Sequence, residues 1–260
     1  MKLLLLTCLA GLFGVGVLQA GEDKVDIADL VKNLQSEDLE VRNKAAAALL
    51  AKKTEAVPGL VNVVEKGKDK ERGRALAILA KIGPDAAEAV PSLRKLINDD
   101  PQAKKLATLR AIQVLGRIGP KAKDAVPTLR KALQSKEPRS PLRVEAAMAL
   151  GRVGPDAKEA APDLIAALKE SADKSGPLRF HAATALGQIG PAAKAAVPAL
   201  VELLKDEKVG PARLVAAQAL GGIGPEAKDA VAALKEAADS KQTALAAAAA
   251  KALKDIKGEK

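Results

Sequence analysis

Aromatic and reactive side chains are scarce: the 260 residues include no tryptophan, no tyrosine, two phenylalanines, one histidine and one cysteine. A lone histidine, His181, cannot assemble an imidazole-rich metal centre, and a lone cysteine, Cys8, cannot close a disulfide within the chain. Bases of single-stranded nucleic acid have almost no aromatic surface on which to stack. Phosphate-cradling glycine loops, a nucleophile elbow and metal-ligand spacings are missing too. As a general base His181 would need an orienting partner and a nucleophile, and its own segment supplies Thr184 and Gln188 but no carboxylate. No catalytic, cofactor-binding or metal-binding residue is therefore expected, and the chain does not read as an enzyme. With so few large side chains, alanine has to supply much of the packing. It has the best helix propensity and lets backbones approach closely, so the composition favours helices.

The amino end reads as an export signal. A cationic start, Met1-Lys2, leads into an apolar run from Leu3 to Leu18, shorter than the roughly 20 residues of a membrane span, and Leu18-Gln19-Ala20 resembles a cleavage site. The division expected is a signal peptide at 1–20 and a single domain at 21–260, exported to a periplasm or secreted. Cys8 leaves with the signal, and no second apolar stretch is long enough to span. Removing Lys2 takes the formal charge from +10 to +9. The excess is lopsided: residues 21–150 carry 25 basic and 18 acidic side chains, residues 151–260 carry 16 and 14.

One phrase recurs through the chain: IGPDAAEAVP from Ile82, IGPKAKDAVP from Ile118, VGPDAKEAAP from Val153, IGPAAKAAVP from Ile189 and IGPEAKDAVA from Ile223. Its glycines, Gly83, Gly119, Gly154, Gly190 and Gly224, are 36, 35, 36 and 34 residues apart. A degenerate copy from Lys52 aligns Pro58 with Pro91 but lacks the Gly-Pro step. A period of this length marks a stacked-repeat architecture. Apolar residues at helical spacing before and after each phrase make every unit a pair of helices. Gly-Pro should separate the units, glycine taking a left-handed cap and proline opening the next helix. Pro58, Pro91, Pro127, Pro162 and Pro198, about a turn further on, should kink that helix. Units fall at about 26–53, 55–82, 85–118, 121–153, 156–189, 192–223 and 226–257, the last finishing polar. One pair cannot bury its own apolar face, so neighbours must stack and share a core.

A proline in the first helix, an acidic residue near the turn and an arginine opening a second helix of form xRxxAAxALGxIG together resemble HEAT repeats, most of all the HEAT-like subclass of the bilin lyases. The resemblance covers nearly all of residues 26–256. It implies an all-α, HEAT-type α-solenoid, a right-handed superhelix of about seven antiparallel helix pairs. It also implies that Arg42, Arg72, Arg143, Arg179 and Arg213 form a structural ladder, pairing with acidic residues such as Glu137, Asp173 and Glu207. Thr108 and Ala246 interrupt that ladder. In such proteins the second helices line the concave surface. The positions that their core does not require are Lys44; Arg74 and Lys81; Arg110, Gln113 and Arg117; Glu145, Met148 and Arg152; His181, Thr184 and Gln188; then Val215 and Gln218. Spaced three and four apart, they align as one stripe, basic in the second to fourth units and neutral later.

The expected function is that of an exported, non-catalytic scaffold holding a protein or an anionic envelope component on this concave stripe, steered by charge. Nucleic acid fits less well. The alternative is an enzyme or enzyme subunit, because the HEAT-like family includes lyase subunits and a di-iron hydroxylase. The hydroxylase pattern needs several His-Glu pairs, which one histidine cannot supply.

Overall fold

The computed structural model describes residues 26–99, 105–135, 140–170, 176–207 and 210–259. The expected signal peptide, Glu137 and Asp173 lie outside them. The described residues form seven helix pairs and no strand: α1 (Ile27–Asn33) with α2 (Leu39–Lys52), α3 (Val57–Lys66) with α4 (Asp69–Ile82), α5 (Val90–Asp99) with α6 (Lys105–Ile118), α7 (Val126–Leu133) with α8 (Pro141–Val153), α9 (Ala161–Lys169) with α10 (Pro177–Ile189), α11 (Val197–Lys205) with α12 (Pro211–Ile223), and α13 (Val231–Ala238) with α14 (Thr243–Lys257). The pairs stack in chain order around one continuous core of buried leucine, isoleucine, valine and alanine. This is a HEAT-type all-α solenoid.

The Gly-Pro step is built differently from expectation. Gly83 adopts φ 67° and ψ −128°, and Gly154 φ 78° and ψ −143°. These are positive-φ conformations outside the left-handed helical cap, and side chains of L-residues rarely adopt them. A 3-10 segment follows, such as Gly83–Ala89 or Gly119–Ala125, before the α-helix proper starts at the next valine or alanine. The bend lies within this segment, at Ala86 (φ −90°, ψ 20°) and its counterparts. Pro91 and Pro127 occupy the second residue of their helices, where no intrahelical N–H bond exists to be lost, so they introduce no kink. In the first unit Lys53 occupies the glycine's place and takes φ 46° and ψ −117°.

The two helix layers are not equivalent. From α6 onward each second helix packs extensively on the next, whereas successive first helices touch only lightly. The tighter layer of a curved stack is its inner one, which makes the second helices the concave wall. Small residues set the spacing. A Cβ added to Gly151 would stand 2.9 Å from Ala185 Cα, and one added to Gly187 would stand 2.7 Å from Ala219 Cα. Gly116 meets Ala149, and Gly221 meets Ala252, in the same way. Leu50 and Ala80 occupy this position in α2 and α4, and Lys254 does so in α14. The contact of α2 with α4 is correspondingly slight.

Candidate functional site

The recurrent arginine sits in the first turns of five of the seven second helices, next to the carbonyl end of the first helix of the pair. Arg72 Nε donates to Val64 O (2.8 Å), Arg143 Nε to Leu133 O (2.9 Å) and Arg213 Nε to Leu204 O (2.8 Å). Arg42 Nη1 donates to Ser36 O and Glu37 O beyond α1. A cation at a helix carboxyl end satisfies orphan carbonyls and complements the helix dipole. The ladder is therefore mainly arginine to backbone rather than arginine to acid. Arg143 adds a two-pronged pair to Glu170 of the next unit (2.7 and 3.1 Å), and this bond holds the Glu170 carboxyl below its ordinary range against the opposing effect of burial. Arg179 has its own partner interaction. Glu207 is exposed on the turn after α11 and makes no ion pair with Arg213.

On the inner wall, Arg74, Arg110, Gln113, Glu145, Met148, Arg152, His181 and Thr184 are half-buried, while Lys44, Lys81, Arg117, Gln188 and Gln218 are exposed. Val215 does not belong to the stripe: it is 3% exposed and packs in the core, where the α12 register turns an apolar side chain inward. Lys44 is held by Glu40 one turn away (2.7 Å). Among the described residues the remaining cations lack ion pairs, a state they share with Arg42, Arg94 and Arg213 outside the stripe. Arg130 on a first helix pairs with Asp163 (2.6 Å) and Arg143 with Glu170, but no ion pair among the described residues engages Arg74, Arg110, Arg117 or Arg152. Arg74 donates one N–H to Leu34 O (3.2 Å). The guanidinium of Arg110 lies over Gly73, and that of Arg152 over Gly116. Between α4 and α6 the wall opens into a cleft of about 590 Å³ lined by Gly73, Arg74, Leu76, Ala80, Leu106 and Arg110 among others.

Polar links run from unit to unit. Gln113 Nε2 donates to Glu145 Oε1 (3.0 Å). Glu145 in turn acts on His181: burial pulls the imidazole below its ordinary value, Glu145 partly restores it, and Arg152 lowers it again. The acidic neighbour missing from the His181 helix thus comes from the preceding unit, a relation visible only when second helices are laid side by side at the repeat period. The Phe180 ring meets His181 edge-on at 5.2 Å and 82°. Among the described residues no three histidine, cysteine or carboxylate side chains gather as a metal site, and no helix is long and apolar enough to cross a membrane.

A family model described as HEAT repeats matches residues 104–175 and 140–221. The HEAT-like repeats protein of the archaeon Thermococcus onnurineus NA1 superposes with a TM-score of 0.60 at 15% identity, over 90% of this chain and 98% of that one. Residues 104–221 thus match the HEAT-repeat model, and the fold of the chain is similar to that of HEAT-like repeat proteins. Its fold also resembles a structure of the interaction between cadherin and β-catenin, with a TM-score of 0.52 and 16% identity over 89% of this chain and 52% of that one. The CpcE–CpcF complex of phycocyanin lyase from Nostoc sp. PCC7120 matches at a TM-score of 0.49 and 25% identity, over 92% and 97%. No curated protein matches the sequence. The residues of the inner wall vary from unit to unit, in contrast to the periodic residues of the core.

Proposed function

We propose that the protein is an exported, non-catalytic scaffold that binds an acidic protein or other anionic envelope component along the inner wall of its solenoid. The observation that supports this most is electrostatic. Arg74, Arg110, Arg117 and Arg152 gather on the concave layer, and no ion pair among the described residues engages any of them. Four such cations on a concave surface attract an anionic partner and speed its encounter. Catalysis draws less support: His181 is the one histidine of the chain, and burial first, then Arg152, lower the pKa of its imidazole against the opposing effect of Glu145.

Affinity capture from envelope and secreted extracts, with residues 21–260 as bait beside an Arg74→Glu, Arg110→Glu, Arg117→Glu variant, tests the binding surface. A partner held by the parent and lost by the variant supports it; equal capture by both sinks it. Amino-terminal sequencing of the protein from its native source tests export. A start at Gly21 agrees with cleavage, and an intact Met1 on the accumulated protein contradicts it.

A further inference from the structure

A cleft opens between α4 and α6, and two departures from the repeat explain it. Three residues before the Gly-Pro glycine, Gly116, Gly151, Gly187 and Gly221 let the next helix close up, but α4 carries Ala80 there. Ten residues before that glycine, the other units from the third to the sixth carry Leu109, Val144, Phe180 and Leu214, but α4 carries Gly73. The first change keeps the two helices further apart, and at the second the Arg110 guanidinium lies where a side chain on residue 73 would stand. A third change lies at the lip. Where α8, α10 and α12 begin with Pro141, Pro177 and Pro211, α6 has Leu106, and this leucine is 56% exposed. The apolar floor of Leu76, Ala77 and Ala80 is thus flanked by Arg74 and Arg110, which no ion pair among the described residues engages, and Lys70 and one carboxylate, Asp69, line the same cleft, so cations outnumber acids three to one.

The geometry points to a specificity pocket in this cleft for an extended acidic peptide segment, one apolar side chain entering between Leu106 and the floor of Leu76, Ala77 and Ala80, with a neighbouring carboxylate held by Arg74 and Arg110. The inference rests on the inner-wall reading above and names where on that wall selectivity lies. Charge complementarity selects the occupant. Guanidinium forks match carboxylates in two-pronged geometry, while the alanine floor and Leu106 gain from burying an aliphatic group between them. A volume of about 590 Å³ is in the range of small-ligand pockets and takes a few residues of an extended chain.

Gly73→Leu is the decisive variant, since it restores the residue found at the matching position, Leu109. The nearest obstacle to a new Cβ at Gly73 is the tip of the flexible Arg110 side chain, so the fold tolerates it. Three acetylated nonapeptides serve as probes in fluorescence anisotropy: one centred on Glu-Leu-Glu, one on Glu-Ala-Glu and one on Lys-Leu-Lys. The native protein should prefer the first over the second by about tenfold or more, as a filled apolar pocket does, and should not bind the third. Gly73→Leu should abolish the preference for leucine while circular dichroism stays unchanged, and Arg110→Gln should weaken both acidic peptides. If Gly73→Leu keeps the full preference, or no peptide binds the native protein, the pocket is overturned. If Gly73→Leu is silent while the triple glutamate variant loses its captured partner, the pocket fails and the basic wall stands. If both variants are silent, the two fail together. Binding of phosphatidylglycerol vesicles without peptide binding also overturns the pocket, in favour of a lipid surface.

Discussion

Backbone strain at single residues separates the first unit from the rest. Lys53 adopts a positive φ that the other units assign to glycine. Lys53→Gly should stabilise the first unit by about 0.5–1 kcal/mol, strain relief outweighing the added freedom of the unfolded chain, read as slower hydrogen exchange in α2. The reverse change, Gly119→Ala, should destabilise by about 1–2 kcal/mol, read as a lower urea midpoint. His181 carries the pH dependence. Its folded-state value is lowered from 6.5, so the unfolded chain binds the proton first and stability falls as pH drops through the range just below 6.5, levelling off under the folded value. Scanning calorimetry from pH 5 to 7.5 should show this slope, and His181→Gln should flatten it. Glu170 acts lower: its depressed carboxyl contributes above 4.5, and that contribution fades as pH falls through the folded value.

Second helices dock at a separation that only small residues permit. Gly151→Val should cost about 2–3 kcal/mol, because its Cβ would press on Ala185 Cα and no side-chain rotation relieves a backbone contact; equilibrium urea unfolding measures it. Phe180→Leu, in the same helix layer but partly exposed, should change stability by less than about 1 kcal/mol. Much of this element scale was legible in the amino-acid order. The Gly-Pro period fixed where pairs meet, and alanine at regular spacing fixed which face is buried. Dihedral detail was not legible: a glycine before proline is compatible with several positive-φ shapes, and the 3-10 segment from Gly83 to Ala89 has the alanine-rich composition of a helix. The arginine ladder was legible as a row but not in its partners, because carbonyls are invisible in a residue alphabet. Val215 was misplaced for a related reason: an aliphatic residue at a groove register reads as surface only by analogy with Arg110 and Glu145. The cleft at Gly73 left a mark in the sequence, a missing side chain in an aligned column, which composition and charge counts pass over.

Along the whole molecule, interfaces grow tighter from the first unit to the last. The α2–α4 contact is slight, α4–α6 is intermediate, and those from α6 to α14 are close. Nearest-neighbour coupling governs such arrays, so opening should begin at the amino-terminal pairs and advance inward. Hydrogen exchange followed by mass spectrometry should show α2 and α4 exchanging faster than α10 and α12; uniform protection would contradict the gradient. The basic residues concentrate in the looser half, so binding there should slow exchange in α4 and α6 more than in α12. The glycine-on-alanine contacts repeat almost unchanged at Gly151, Gly187 and Gly221. The backbone packing of these units is therefore interchangeable, and a recombination event that copies or drops one such helix pair leaves a glycine-on-alanine junction in place, while unit-specific links such as Arg143 to Glu170 are gained or lost with it. Groove length is then a quantity that a lineage can vary in whole steps, apart from the chemistry written on its wall.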